Sequence, residues 1–448
     1  MTERHDAIVV GGGHNGLTTA TYLARAGLKT IVLESADKVG GMAAEFVIGG
    51  HYRFPGLATV THPIGRALVD ELRLDRYGYR TGEPIRTTAL DKSGQHLLFD
   101  SSSASGETLN AADAKAYAFL KSQYRDFSQA LQPLFFSKPP RLKGMDRQDK
   151  ATMTRLAAAL RVRLGRDGMY EFLRVIGMNI RDILDEVIEN DLLKGAIAAE
   201  AVMGSAMGPR TPGTVSTWLH WLRGELDGPL MLQQRQASAV TALTDAAGDA
   251  SAVLRTGARV RRILVKTGKA TGVELSTGET VHAPIVVSNV DPRQTFTKLV
   301  GPRNLDAMFA HRANQVRGAG VVAKLLLALS GRPTFSGLSD SQLGGRLIVA
   351  SSADFVEHAF NHSKYGRCSE RFVLDIAIPS VADDSLAPPG HHVMSVNVAF
   401  VPAALKGGWK PQRQQVAEKV LDQLCDYAPG LRSLVQHQQA LLRMCRLP

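Results

Sequence analysis

Three glycines close to the amino terminus constrain this chain more than any other feature. Gly11, Gly13 and Gly16 have the spacing Gly-x-Gly-x-x-Gly, after the apolar run Asp6–Val10 and at the start of the helical stretch Leu17–Ala26. A strand, a glycine turn and a helix in this order form the phosphate-binding corner of a nucleotide-binding fold. The glycines allow the tight turn, the approach of a pyrophosphate and close helix packing, respectively. We therefore predict a dinucleotide site.

An acidic residue follows at the distance that such a fold requires. Lys29–Leu33 predicts a second strand, and Glu34 stands at its end, about 20 residues beyond the glycines. A carboxylate there accepts hydrogen bonds from an adenosine ribose and disfavours a 2′-phosphate. The alternative is a glycine turn without a ligand, against which the agreement of glycines, strand, helix and acid argues.

These residues leave the dinucleotide open between NAD and FAD. Gly40-Gly41, which follows Val39 shortly after the ribose acid, predicts a second close approach of the backbone to the same side of the cofactor. A Gly-Gly pair on its own is more often an ordinary loop.

The run Val9–Leu17, read with Glu34 and Val39–Gly41, resembles the amino terminus of the phytoene desaturase/amine oxidase flavoprotein superfamily. Asn15 after His14, and Met42-Ala43 where amine oxidases usually carry Arg, resemble its phytoene dehydrogenase-related branch. The resemblance implies FAD as the cofactor. The residues that it places at the cofactor near the amino terminus are Gly11, Gly13, His14, Asn15, Gly16, Glu34, Gly40, Gly41 and Met42.

Later parts of the sequence resemble the same branch, from residue 6 to about residue 440. The segments similar to its second flavin piece are Gly257–Val260, Gly272-Val273 and Val286–Pro292. This similarity implies that Val260 contacts the adenine through its backbone and that Asn289 belongs to the cofactor site, which disfavours an NAD dehydrogenase. The segments similar to its substrate domain are Lys364–Gly366, Ile378–Ser380 and Leu386–His392.

The chain departs from this family in two places. A Gly-Gly-Met-Gly-type loop is replaced by Asp227–Gln233, so we expect that loop to be rearranged. Family members also continue beyond the position of Gln438–Ala440 into a glycine-rich turn that holds the flavin ring, whereas this sequence ends with Leu441–Pro448. We therefore expect a premature or frameshifted terminus, and weak or absent retention of FAD.

The predicted fold class is α/β, with a Rossmann-like FAD-binding domain of the GR2 type and a substrate domain of mixed sheet and helices. The FAD-binding domain is expected at 1–79 and 229–298, without its C-terminal piece, and the substrate domain at 80–228 and 299–448. The main predicted helices are Ala111–Leu131, Ala151–Leu164 and Met169–Leu193. The predicted strands of the second half are Val253–Val265, Ala270–Leu275, Val281–Val287, Val322–Leu329, Arg346–Ala350, Phe372–Ile378 and His392–Phe400.

The composition, with 44% hydrophobic and 21% charged residues, excludes a disordered, collagen-like or coiled-coil chain. No apolar run approaches the roughly 20 residues that cross a bilayer, and the amino terminus lacks the apolar region of a signal peptide. Cys368, Cys425 and Cys445 are too scattered for a disulfide framework or a zinc ribbon. We expect a cytoplasmic protein.

The net charge of +11 does not choose a partner, and without an RNP, zinc-finger or basic-zipper motif we expect no nucleic acid. Met153–Leu164 interleaves leucines with arginines. This pattern predicts either a basic helix lying on anionic lipid, and so peripheral contact with a membrane, or a core-facing helix with a basic surface.

Other candidate sites have simpler interpretations. His358 and His362 have the spacing of two zinc ligands on a helix, but a third ligand is lacking, so we expect no metal. The acidic group of Asp182, Asp185 and Glu186 is better explained as a solvated charge face. The resemblance implies dehydrogenation or isomerisation of a hydrophobic, carotenoid- or isoprenoid-like substrate by hydride transfer to flavin, and no catalytic side chain is assigned. The alternative is a non-catalytic nucleotide-binding remnant or interaction protein.

Overall fold

The computed structural model describes residues 4–135, 137–233, 235, 238–316 and 322–441. Of the last eight residues, Leu441–Pro448, which were expected to depart from the family, residues 442–448 lie outside the described residues, and Cys445 is among them. The helices are α1 His14–Arg25, α2 Arg66–Leu72, α3 Ala111–Ala130, α4 Gln132–Phe135, α5 Arg147–Val175, α6 Ile180–Val187, α7 Asp191–Val202, α8 Thr214–Asp227, α9 Ala239–Asp249, α10 Pro292–Gln294, α11 Ala307–Gln315, α12 Asp340–Leu343, α13 Ala353–Lys364, α14 Trp409–Cys425 and α15 Leu431–Leu434.

The strands belong to two larger and three smaller sheets among the described residues. They are β1 Ala7–Val10, β2 Thr30–Leu33, β3 Phe46–Ile48, β4 Tyr52–Phe54, β5 Val60–Thr61, β6 Thr87–Ala89, β7 Leu97–Phe99, β8 Ala104–Ser105, β9 Met231–Leu232, β10 Val253–Arg255, β11 Val260–Lys266, β12 Lys269–Leu275, β13 Thr280–His282, β14 Ile285–Ser288, β15 Val322–Leu329, β16 Arg346–Val349, β17 Leu374–Ala377, β18 His392–Ala399 and β19 Val435–Leu441.

The first sheet is parallel, with the strand order β10-β2-β1-β14. Every residue of β1 and β2 is buried, because helices and a second layer of strands cover the two faces. Ala20 of α1 and Ala247 of α9 pack on one face. On the other face, Ile263 and Val273 of the antiparallel sheet β11-β12-β13 pack against β1 and β2. The predicted α/β class with a Rossmann-like parallel sheet is confirmed.

The second sheet has eight strands in the order β19-β15-β18-β17-β16-β6-β7-β8, and β16 and β6 are its parallel pair. Val420 and Leu424 of α14 pack on one face. The other face packs against helices, among them α3, α7, α8 and α13. Its strands come from 87–105 and 322–441, as the predicted substrate domain requires, while the exact domain boundaries stay a prediction.

Several predicted elements are interrupted in the structure. Met169–Leu193 was predicted as one helix, but it contains the end of α5, all of α6 and the first residues of α7. Asn179 and Asn190 begin α6 and α7, where their side chains accept backbone N–H groups of the first turn. Asn is favoured at such N-cap positions. The prediction of a continuous helix was therefore wrong.

Two predicted strands are likewise each divided between two sheets. Val253–Val265 forms β10 and β11, with Gly257 at a φ of +63° between them. Val281–Val287 forms β13 and β14, separated by a short connection that contains Pro284. Proline has no N–H to donate to a ladder, which explains why strand pairing stops there.

Candidate dinucleotide and flavin site

The turn between β1 and α1 is built so tightly that only glycine fits. Gly11 has a φ of +97°, and its N–H donates to the carbonyl of Leu33 at 2.9 Å. A Cβ on Gly16 would lie 2.0 Å from the carbonyl oxygen of Gly11, so any side chain there would force strand and helix apart. This is the close packing that the third glycine of the motif predicts.

The amino-terminal end of α1 is open toward solvent. Gly13 is its N-cap residue and offers no side chain to the first-turn N–H groups. His14 and Asn15 form the first turn and are exposed, and their carbonyls accept the hydroxyls of Thr18 and Thr19. Uncapped N–H groups at a helix start, with the positive end of its dipole, provide the donors that an anionic phosphate needs.

The second glycine pair lies directly against the first motif. The N–H of Gly40 donates to the carbonyl of Gly12 at 2.8 Å, and a Cβ on Gly41 would lie 3.2 Å from the Cα of Gly13. Met42 follows in a one-turn helix, with 43% of its surface exposed. The two glycine-rich segments thus form one continuous backbone surface, which we call the cradle and which carries no Cβ at Gly13, Gly40 or Gly41.

Glu34 lies at the end of β2 with its carboxylate already held by the backbone. Its Oε2 accepts the N–H of Gly12 at 2.7 Å, and its Oε1 accepts the N–H of Ala36 at 2.9 Å. The hydroxyl of Ser35 also donates to Oε1, at 3.1 Å. These donors orient the carboxylate beside the glycine turn, which is the position predicted for the ribose acid.

Asn289 and Val260 come from the later part of the chain. The N–H of Asn289 donates to the carbonyl of Val10 at 2.9 Å, and its side-chain Nδ2 lies 3.2 Å from where a Cβ on Gly13 would stand. Val260 lies on β11 and packs against the hydrophobic cluster that contains Ile8 and Val10. Asn289 is therefore part of the cradle, while the contact of Val260 with adenine stays a prediction.

Gln233, at the end of the segment 227–233, connects the cradle to the neighbouring strands. The Nε2 of Gln233 donates to the carbonyls of Ala43 at 3.2 Å and Pro55 at 2.7 Å. The N–H of Gln233 donates to the carbonyl of Thr59 at 2.8 Å. A glutamine side chain thus joins the turn after Gly40-Gly41 to the residues around β4 and β5.

Lys324 is a buried lysine next to residues 57–59. The sequence indicated no role for it. Lys324 on β15 is 1% exposed, and its ammonium donates to the carbonyl of Leu57 at 2.6 Å, the hydroxyl of Thr59 at 3.1 Å and Oδ1 of Asn397 at 3.0 Å. Burial lowers the pKa of Lys324 to about 8, and the nearby carboxylate of Asp375 opposes part of that shift. The one feature of the sequence that could have indicated this lysine is a charged residue inside the apolar run 322–329.

Lys324 belongs to a larger buried ionic cluster, which we define as Glu200, Lys324, Arg346, Asp375 and Asn397. Arg346 is fully buried and donates to Glu200 at 2.8 Å and to Asp375 at 3.0 Å. Asn397 donates to the other carboxylate oxygen of Asp375 at 3.3 Å. The buried ionic cluster therefore extends across the eight-stranded sheet, from Glu200 on α7 to Lys324, which contacts Leu57 and Thr59.

The remaining candidates of the sequence lie apart from the cradle. Asp185 is ion-paired with Arg181 and Lys194 on the surface, in agreement with a charge face. Two leucines of α5, Leu160 and Leu164, pack against the helical core rather than facing outward.

His358 and His362 lie on α13. Within the described ranges, no group of three His, Cys, Asp or Glu residues is placed to hold a metal ion. No helix in the described part of the chain is both long and apolar enough to cross a membrane.

Comparison with known proteins supplies the family. The profile of flavin containing amine oxidoreductases matches residues 16–444. Pyridine nucleotide-disulfide oxidoreductase domain-containing protein 2 of Mus musculus is 27% identical, over 100% of this chain and 84% of the relative. A lycopene-forming phytoene desaturase of Pseudescherichia vulneris is 25% identical, over 96% of this chain and 84% of the relative.

Among solved structures, an oxidoreductase from Methanosarcina mazei has the same fold. Its TM-score is 0.62 at 16% identity, over 98% of this chain and 88% of that one. Since the family profile spans nearly the whole chain, the chain belongs to the flavin-containing amine oxidoreductase family and is an FAD-dependent oxidoreductase.

Proposed function

We propose that this FAD-dependent oxidoreductase dehydrogenates or isomerises a hydrophobic, carotenoid- or isoprenoid-like molecule by hydride transfer to its flavin. The observation that carries the oxidoreductase part is the cradle formed by Gly11–Gly16 and Gly40-Gly41 within a chain of this family. The substrate class is supported by the similarity to a phytoene desaturase along 96% of the chain.

In this proposal the bound FAD supplies the hydride-accepting ring, and the protein supplies binding and orientation. The first turn of α1, with His14 and Asn15, binds the pyrophosphate, and Glu34 binds the adenosine ribose. Asn289 lines the cradle beside Gly13.

Lys324 acts in this proposal as a positioning residue. Its ammonium holds the backbone at Leu57 and the hydroxyl of Thr59, and the N–H of Leu57 donates in turn to the carbonyl of Met42 at 2.8 Å. The lysine thus fixes the segment that follows the second glycine pair, on which the position of a bound flavin depends.

The test is anaerobic reduction of the FAD-loaded protein. Phytoene or another polyene precursor in detergent should bleach the visible absorption of the flavin as a more conjugated product forms, if the reaction is dehydrogenation. If it is isomerisation, an isomer should form while the redox state of the flavin stays unchanged. Flavin that dithionite bleaches, together with no reduction by any isoprenoid and no isoprenoid product of either kind, would contradict the substrate class. ADP binding without any reducible flavin would instead support the non-catalytic alternative.

We also propose that α5 contacts anionic membrane surfaces. Val162, Tyr170 and Leu173 are 84%, 57% and 58% exposed, and Arg161 and Arg166 are exposed beside them. Apolar side chains next to arginines fit the interface of an anionic bilayer. The protein should sediment with phosphatidylglycerol vesicles and not with phosphatidylcholine vesicles, and equal partitioning to both would contradict the proposal.

A further inference from the structure

The turns that follow β14 carry a surplus of positive charge. Residues 292–316, which we call the basic segment, contain four arginines and lysines and one carboxylate. The segment comprises α10, the π-helical turn Thr295–Val300, the 3₁₀ turn Pro302–Asn304 and α11. One exposed cation stands on each of these elements: Arg293, Lys298, Arg303 and Arg312.

These cations have no partner inside the protein. None of the four side chains has an ion-pair or hydrogen-bond partner among the described residues. Asp306, the carboxylate of the segment, accepts the N–H of Phe309 at 3.0 Å and begins α11. Arg262 on β11, a strand that packs against the same turns, is instead paired with Glu274 at 2.5 Å. The basic segment therefore leaves four positive charges available to a partner outside the chain.

The inner side of the basic segment is fixed by packing. Leu299 is buried in the hydrophobic cluster that includes residues of β1 and β2. The rings of Phe296 and Phe309 meet edge-on, with centroids 4.8 Å apart, and join the π-helical turn to α11. Ala313, on the same side of α11 as Phe309, is buried as well. The cations are thus presented by turns that are already ordered, which lowers the entropic cost of docking.

The outward face of α11 carries an apolar side chain among the charges. Met308 is 65% exposed, and Arg312 lies four residues further along the helix, on the same face. His311 on that face is exposed, and Val316 just beyond the helix is 41% exposed. Apolar side chains beside cations fit the interface of an anionic bilayer, where the cations meet lipid phosphates and the apolar groups enter the acyl boundary.

This arrangement favours a lipid surface over a nucleic acid or an acidic protein. Nucleic-acid phosphates would bind the cations but would leave Met308 in water. A folded acidic protein would need carboxylates at four matching positions, because the cations stand on four separate turns. Lipid headgroups move laterally to meet each cation, and every cation near an anionic leaflet adds to the affinity.

We infer that the basic segment docks on the surface of an anionic membrane, with Met308 entering the headgroup region and the four cations contacting lipid phosphates. The inference uses residues outside α5 and outside the cradle. It therefore depends neither on the membrane contact proposed for α5 nor on the proposed hydride transfer.

A tryptophan placed on the basic segment reports this contact separately from any contact of α5. In the full-length, FAD-loaded protein, the added fluorescence of Met308→Trp should be quenched by vesicles of brominated phosphatidylglycerol and not by vesicles of brominated phosphatidylcholine. Tyr365→Trp is the matched control, because Tyr365 is 68% exposed at the end of α13, and it should not be quenched. Sedimentation with the vesicles without quenching in Met308→Trp would overturn the inference and leave the α5 contact standing. Equal quenching in both variants would also overturn it.

Charge variants in the Met308→Trp background test the cations. Arg303→Gln combined with Arg312→Gln should raise the lipid concentration at half-maximal quenching about 25-fold, at about fivefold per cation. Lys410→Gln combined with Arg413→Gln removes the same net charge from exposed positions on α14. Because salt screens distant charges, this control should shift the midpoint less than about twofold. An equal shift in both pairs would show that net charge drives the binding, and would contradict a docking surface on the basic segment.

Competition separates the membrane from other anionic partners. Polyglutamate or duplex DNA, at the same concentration of negative charge as the vesicles, should not reverse the quenching. Reversal by either would assign the surface to an acidic protein or to a nucleic acid, and would overturn the inference.

Discussion

The glycine cradle and the buried ionic cluster are built in opposite ways. In the cradle, close backbone contacts require that the glycine positions carry no side chain, as the 2.0 Å approach to Gly16 shows. In the buried ionic cluster, long charged side chains make the contacts, and Arg346 joins Glu200 to Asp375 across two elements. An atom added at a glycine should therefore weaken cofactor binding by the cradle, whereas the loss of a charged group should destabilise the buried ionic cluster.

Removing the guanidinium should have the largest effect. Arg346→Met leaves Glu200 and Asp375 buried without their cation, so we expect a loss of about 3–5 kcal/mol of unfolding free energy. Urea unfolding at neutral pH measures it. Arg332→Met is the control, because Arg332 pairs with an exposed aspartate, and such surface pairs contribute about 0–1 kcal/mol.

If Arg346→Met costs no more than Arg332→Met, the buried ionic cluster contributes no more than a surface pair. The cradle and the buried ionic cluster would then differ in the kind of contact they make, and the cluster would add no special share of the unfolding free energy.

The next largest effect concerns the pH dependence of stability. The folded chain holds the pKa of Lys324 at about 8 because of burial, while an unfolded lysine titrates near 10.4. Between these values the unfolded chain binds more protons, so stability rises with pH. We expect the wild type to gain roughly 3 kcal/mol relative to Lys324→Met across this range, at about 1.4 kcal/mol per pKa unit.

Urea unfolding of both proteins at several pH values checks this gain. Lys269→Met, at an exposed lysine, should keep the wild-type pH profile. Parallel profiles for the wild type and Lys324→Met would show that the lysine titrates as if it were in water.

Adding one carbon atom to the cradle should abolish most cofactor binding. Gly16→Ala places a Cβ against the carbonyl of Gly11, which displaces α1 from the cradle. We expect FAD affinity to fall about 100-fold, or about 2.7 kcal/mol, in a fluorescence titration. Gly248→Ala is the matched control, since a Cβ there meets no atom within 4 Å. Equal loss in both variants would point to general destabilisation.

The smallest expected effect concerns the carboxylate of Glu34 rather than the glycine backbone of the cradle. Glu34→Gln keeps the shape but loses one of the oxygens that accept the N–H groups of Gly12 and Ala36. We expect ADP to bind about tenfold more weakly and its advantage over 2′,5′-ADP to shrink. Unchanged discrimination between the two nucleotides would mean that Glu34 does not face the ribose. Asp340→Asn, at an exposed residue away from the cradle, should change neither affinity.

The sequence predicts features whose residues lie close together along the chain. The glycines, Glu34 and the two flanking strands lie within about thirty residues, so their spacing alone indicates the turn and the parallel pair. Family resemblance adds Asn289, which the structure places beside Gly13. The weak retention of FAD that the sequence led us to expect stays a prediction, and the flavin-to-protein ratio after gel filtration tests it.

The features that escaped prediction depend on distant side chains or on small interruptions. The hydrogen bond between Lys324 and Leu57 joins residues 267 positions apart, and no local pattern encodes it. Pro284 divides β13 from β14 within an apolar run that reads as one strand. The lysine contact depends on a distant partner, whereas the strand break depends on one proline whose missing N–H outweighs the apolar pattern around it.

The position of β19 has a consequence for how the chain folds during synthesis. β19 pairs antiparallel with β15 over Lys324–Leu329, and it is the last described strand to leave the ribosome. Until residues 435–441 emerge, β15 exposes an apolar edge that can pair with another chain. We expect nascent chains stalled before β19 to depend on chaperones and to aggregate more readily than the finished protein.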